Sequence, residues 1–340
     1  MIQITNTDAY QVLCLQLADE GRGASLLGDC VERARTCALP FLACNQFPSV
    51  YFEFPLAGNP FLDVTLLYGK LEPGTRIDSP AASGCERLLD WYANAYDKHH
   101  NISFGFELDT SKQQLPAAAI HFQPRTHTSL VEPFFDAIGE PERAHLYLDL
   151  AERMPKGWEL AFFGLFRGRP NSPLRVCGYL HVETVLPYTK DPSLLASVFD
   201  DIGFSAYDEA MLGQIATLLG TSSSGFDYQF DIYPDGSLGD TFAIDVQLQV
   251  EKPEAVRATM ENGEGGRIMQ LFEDWGIADD RWKSLADIAF ARKLPQIKDD
   301  GTDTSFSFTL MPGWTKVRWR KCALQPAKYY YLGSAGLLEA

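Results

Sequence analysis

The sequence predicts an α+β protein of one domain spanning residues 1–340, in which ten antiparallel β-strands close into a barrel with a solvent-accessible lumen. A ring of α-helices surrounds it. Three observations predict this. The chain repeats itself: FFDAIG (134–139), VFDDIG (198–203) and LFEDWG (271–276) each end an apolar stretch of helical period on a glycine. The strands follow in hairpins that alternate apolar and polar residues, clearest in GFDYQFDIYPDGSLGDTFAIDVQLQ (225–249). No Gly/Ser-rich or charged linker divides the repeats.

Taken in order, the elements make five helix-then-hairpin units. SLLGDCVERARTCA precedes the hairpin SVYFEFPLAG–NPFLDVTLLYG, and CERLLDWYANAYDKHH precedes ISFGFELDT–AAAIHFQP. FFDAIG and PERAHLYLDLAERMP precede WELAFFGLFRG–LRVCGYLHVE across RPNSP. VFDDIG and AYDEAMLGQIATLLG lead into the 225–249 hairpin. LFEDWG and a helix over DDRWKSLADIAFARKLP lead into SFSFTLMPGWTKVRWRK–AKYYYL.

Short sequential connections favour antiparallel neighbours. An open meander of ten strands would leave two edges and a whole face to water, and closure removes both. The amphipathic helices need apolar surface to cover, so they lie outside. The polar face then turns inward, around a chamber that ten strands make too wide for side chains to fill.

Alternation assigns the lining. Tyr51, Glu53, Asp63 and Thr65 come from the first hairpin, and Ser103, Gly105, Glu107, His121 and Gln123 from the second. The third gives Glu159, Phe163, Arg175, Cys177 and Tyr179, and the fourth Gln229, Asp231, Tyr233, Thr241, Asp245 and Gln247. The last gives Ser305, Ser307, Thr309, Lys316, Arg318, Arg320, Lys328 and Tyr330. A slip of one residue would reverse any of these lists.

Composition supports a well-filled core, with 46% hydrophobic and 12% aromatic residues. The net charge of -16 and a pI near 4.8 argue against nucleic-acid or anionic-membrane partners. The sequence contains no apolar run of membrane-spanning length and no basic-then-apolar leader, and its seven cysteines lack paired spacing. These features point to a cytoplasmic protein with reduced thiols.

The segments SGFDYQFDIYPDGSLGDTFAIDVQL, NPFLDVTLLYG and AKYYYL, within the fivefold αββα plan, resemble the ABBA (PT-barrel) prenyltransferases of aromatic and peptide substrates. The resemblance implies a transferase that moves an isoprenyl group, dimethylallyl or geranyl, from its diphosphate to an electron-rich aromatic or peptide side chain inside the barrel. It implies that Arg175, Arg318 and Lys328 hold the diphosphate, with His121 beside them, and that Tyr179, Tyr233 and Tyr330 shield the allyl cation. Glu53, then Glu107, would orient or deprotonate the acceptor. Asp63 stands where some relatives keep an aspartate for diphosphate-bound Mg²⁺, which the sequence does not itself require. Indole-prenylating relatives repeat Lys-x-Tyr on several inward strands. Here Lys328-Tyr329-Tyr330 keeps the pair, while the corresponding strands read AIHF, RVCGY and AIDV.

The chemistry asks for such residues. Ionising an allylic diphosphate separates an anion from a carbocation, so fixed positive charge at the phosphates lowers the barrier. Tyrosine faces stabilise the cation and exclude water, and a carboxylate takes the proton. Two other readings stay open: a non-catalytic barrel that binds a hydrophobic molecule, and a cyclase or isomerase using Glu53, Asp63 and His121. Arg318 and Arg320 also suit a solvated strand, and Arg167 and Arg169 a solvent-facing rim.

Overall fold

The computed structural model describes residues 4–18, 24–112, 114–125, 127–223, 225–248, 250, 252–297 and 303–338. Its strands are β1 (Ser49–Pro55), β2 (Asp63–Tyr68), β3 (Ser103–Leu108), β4 (Ala119–Gln123), β5 (Trp158–Leu165), β6 (Leu174–Leu180), β7 (Phe226–Ile232), β8 (Leu238–Gln247), β9 (Phe290–Ile297), β10 (Asp303–Arg320), β11 (Ala323–Leu324) and β12 (Lys328–Leu338). From β1 to β8 each pairs with the next, all antiparallel. The second half of β10 then pairs with β8, Trp314 opposite Gln247 through Arg320 opposite Thr241. β10 also pairs with β12, and β12 with β1, so ten strands close.

The last repeat departs from expectation. DDRWKSLADIAFARKLP is not one helix: a 3-10 turn (Asp280–Ser284) and a short helix (Leu285–Ile288) give way to β9. β9 pairs with the first half of β10, and that half with the end of β12, as a ribbon continuing the barrel wall. Ser305, Ser307 and Thr309 lie on this ribbon rather than in the lumen, with Thr309 and Ser334 hydrogen-bonded 2.5 Å apart. A bulge between Pro312 and Thr315 separates ribbon from barrel.

The repeated glycines end helices as expected. Gly139 and Gly203 adopt φ of 81° and 85°, the left-handed region that glycine enters without a Cβ penalty. In both, and again at Gly276, the glycine N–H bonds three residues back and the next N–H five back, a Schellman closure.

Between helices and sheet lies one aromatic-rich core. Phe122, Phe134, Phe135 and Phe163 pack ring on ring, and Phe199, Phe230, Phe242 and Trp319 form a second cluster. Each is buried, worth about 1.5–3 kcal/mol per large side chain. No described helix is long and apolar enough to cross a membrane.

Candidate active site

The inward faces surround a chamber in three connected parts. A narrow central constriction is lined by Arg169, Arg175, Lys316, Arg318 and Lys328 with Glu53, Glu107 and Asp231. Toward one mouth lies a roomier aromatic half, walled by Tyr51, Phe162, Tyr179, Trp314 and Tyr330, with Asp227, Asp245 and Arg125. Toward the other lies a polar vestibule bounded by Asn59, Asp63, Asp109, Lys112, Gln114 and Pro170. Shared walls join them: Glu53 and Lys316 line the first two, Arg318 and Lys328 the constriction and the vestibule.

Cross-strand register sets the site. Arg175 on β6 lies opposite Asp231 on β7, and its Nε and Nη2 donate to the two carboxylate oxygens at 2.8 and 3.2 Å. On its other side stands Gly164, where an added Cβ would come 2.8 Å from the His121 ring. His121 Nε2 lies 3.0 Å from Glu107 Oε2, while Arg169 Nη2 donates to Glu107 Oε1 at 3.3 Å. The Phe166 ring lies near both guanidiniums, 3.7 Å from Arg169 and 4.5 Å from Arg175.

Lys328 opposes Lys316 across β12 and β10. Lys328 Nζ and the Tyr330 hydroxyl both donate to Glu53, and Lys316 Nζ stands 3.5 Å from Asp245. Lys316 also sits 4.9 Å above the Tyr330 ring.

Arg318 differs from its neighbours. Its Nε is buried and has no hydrogen-bond partner among the described residues, and no described carboxylate pairs with it. Burial, then the charge of Arg175, depresses its pKa. The constriction thus carries more positive than negative side chains, one of them unpaired.

The carboxyls divide into two kinds. Burial would raise Glu53 and Glu107, but cations prevail: Lys328 and Lys316 hold Glu53 down to about 2, and His121 and Arg169 hold Glu107 well below the carboxylate range. Asp227 and Asp245 behave oppositely. Burial and the charge of Asp245 lift Asp227 to about 8. Burial lifts Asp245 to about 6, with Lys316 holding it from rising further. Asp63 is raised to about 8 by burial and by Glu53.

The expected site residues are therefore largely assembled. Glu53, Glu107, Arg175, Arg318 and Lys328 meet at the constriction, and Tyr179, Tyr330 and His121 face the aromatic half. Tyr233 does not join them. β7 ends at Ile232 after a register shift, and Tyr233 opens the turn, donating its N–H to Ser237 O at 2.9 Å. Phe163 points into the helical layer and Phe162 inward, because a bulge between Leu160 and Phe162 shifts the alternation.

Arg169, expected at the solvent rim, belongs to the constriction, carried there by the β5–β6 loop that alternation cannot orient. Arg167 does sit away from it, against Ser83 and Cys85. Arg320 reaches the vestibule, largely exposed and 3.6 Å from Asp240. Lys316, expected from alternation, lines the chamber, and so does Asp227, which shares the face of Gln229 two residues on.

Asp63 lines the vestibule, where its Oδ1 accepts the Thr110 N–H at 2.9 Å, and no group of three or more His, Cys, Asp or Glu that could hold a metal ion by itself occurs among the described residues.

No family model and no curated protein matches this sequence. Solved structures do. The 5-dimethylallyltryptophan synthase of Streptomyces coelicolor superposes at a TM-score of 0.51 with 13% identity, covering 97% of each chain. Prenyltransferase PriB in its apo form gives 0.51 at 10% identity over 98% of this chain and 96% of its own. AnaPT from Neosartorya fischeri gives 0.50 at 11% identity over 97% and 94%. The likeness shows a shared fold, a closed ten-stranded antiparallel barrel within helices, at near-complete length.

Proposed function

We propose that the protein transfers an isoprenyl group from its diphosphate to an electron-rich aromatic acceptor inside the barrel. The unpaired Arg318, set among four further cations at the neck of an aromatic chamber, carries this reading. A buried guanidinium nitrogen with no hydrogen-bond partner is costly, and a diphosphate oxygen placed there would satisfy it. Solved neighbours of the same fold include the S. coelicolor synthase in complex with DMASPP and Trp, at a TM-score of 0.50 and 13% identity over 97% and 95% of the chains.

On this reading the diphosphate sits against Arg318, Arg169 and Arg175, with the two lysines at its flank. The isoprenyl tail extends into the aromatic half. The allylic C–O bond breaks and its electron pair leaves with the diphosphate. Tyr330, Tyr51 and Tyr179 flank the cation and exclude water, their hydroxyls kept neutral because burial raises all three pKa values. The acceptor forms the new bond and loses its proton. Glu53 and Glu107, locked ionised by cations, suit orientation of the acceptor and balance of charge. Asp245, lifted to about 6, is better tuned to take the proton near neutral pH.

Pyrophosphate release from dimethylallyl or geranyl diphosphate, assayed with indole and phenol acceptors, tests the reading. Arg318→Ala should lower kcat/KM by about 10²–10³, the usual cost of one donor to a developing anion. Release unchanged in the variant, or donor binding with no release by any acceptor, contradicts it; the latter is the behaviour of a carrier.

A further inference from the structure

The aromatic half of the chamber carries facing carboxyls where the constriction carries guanidiniums, with Arg125 and Lys316 on the same wall. Asp227 on β7 and Asp245 on β8 lie directly across from one another, each only 6% exposed. Like charges in that arrangement are destabilising, and sequences rarely retain them without a use. Lys316 Nζ lies 3.5 Å from Asp245 Oδ1, which receives no hydrogen bond among the described residues, and the Gln229 amide donates to Asp245 Oδ2. Asp227 pairs with no described cation, and its hydrogen bond, from the Gln247 amide, is 3.5 Å long. Tyr179 stands beside it on β6, and Tyr51 and Trp314 share the same chamber wall with ring centroids 5.2 Å apart. A buried acid enclosed by aromatic faces is the chemistry that holds an organic cation.

We propose that the acceptor is itself a cation, whose protonated amine or guanidinium docks on Asp227 within this aromatic enclosure while its nucleophilic part faces the donor. The proposal rests on the transfer reading for the word acceptor, but the binding site stands on the chamber's own residues. The two substrates would then be held at opposite poles, anion at the guanidiniums and cation at the aspartates, which fixes their order along the barrel. Polarity also gives specificity: a neutral analogue leaves the facing carboxyls uncompensated.

Calorimetry with tryptamine and with its uncharged isostere 3-propylindole tests this without turnover. The expected result is at least tenfold tighter binding of tryptamine, lost in Asp227→Asn, with 3-propylindole unaffected by the substitution. Asn keeps the shape and removes a like-charge contact, so the variant should fold; Asp245→Asn, which keeps Asp227, should retain part of the preference. Tryptamine affinity should also rise with pH through about 8 in the wild type and stay flat in Asp227→Asn, because the cation binds the ionised carboxyl. The groups facing Asp227 are Asp245 and Lys316 along the strands, Tyr179 on β6, and Tyr51 and Arg125 across the chamber.

Equal affinity for the two probes, binding by neither, or equal weakening of both by Asp227→Asn overturns the proposal. A parallel titration with dimethylallyl thiolodiphosphate separates the two ideas. If that anion fails to bind while the tryptamine preference holds, the transfer reading falls and the cation site remains.

Discussion

Glu53 shows how one side chain couples stability to chemistry. It accepts from Lys328 and Tyr330 together, in a site where neither partner has much access to water. Glu53→Gln removes the charge and leaves Lys328 uncompensated, so it should cost about 3 kcal/mol in urea denaturation, as breaking buried ion pairs does. The carboxyls also set a pH dependence of mixed sign. Asp63 and Asp227, raised to about 8, and Asp245, raised to about 6, retain protons in the folded state that the unfolded chain gives up near pH 4. Stability contributed by these three should therefore fall as pH rises from about 4 to 8. Glu53, lowered to about 2, contributes stability above about pH 4 that is lost as pH falls toward 2. Urea midpoints at pH 5, 7 and 9 should decline in the wild type and decline less in Asp227→Asn; an unchanged slope would count against the assignment. Most site residues were legible because each lies at an alternate strand position. Arg169 and Tyr233 were not, one carried on a loop and the other one residue past the end of a strand, where alternation has no force.

Bulges and helix ends decide more at the level of elements than propensity does. The bulge in β5 exchanges the roles of two adjacent phenylalanines: Phe163 enters the core cluster and Phe162 the chamber. Phe163→Ala should therefore cost about 3–5 kcal/mol, whereas Phe162→Ala should alter turnover with much less effect on stability. The reverse pattern would mean the register is wrong. At the helix ends, Gly203→Ala places a Cβ in the left-handed region and should cost about 1–2 kcal/mol with pyrophosphate release per folded molecule unchanged. The three Gly-terminated helices and the hairpins were readable as a repeat. β9 was not, because ADIAFARKLP is apolar enough to pass for a helix end and its partner, the first half of β10, lies across a segment whose pairing the sequence does not state. Periodicity reports local geometry, while a strand needs its neighbour.

At the scale of the molecule, closure converts an amphipathic sheet into two environments. The outside becomes a dry aromatic layer under helices, and the inside a chamber with guanidiniums at its neck and facing carboxyls in its aromatic half. In a protein of net charge -16, closure gathers three guanidiniums at one constriction, where solvent screens them less than on an open surface. Barrel closure was legible from the count of strands and the need to cover two faces; the polarity of the lumen required knowing which charges face each other across β7, β8 and β10.

The most direct measurement is a crystal structure with dimethylallyl thiolodiphosphate, which cannot readily ionise. Phosphate oxygens should lie at hydrogen-bonding distance from Arg318, with the tail directed between Tyr330 and Tyr179. Diphosphate bound outside the barrel, or within it but away from Arg318, would contradict that placement.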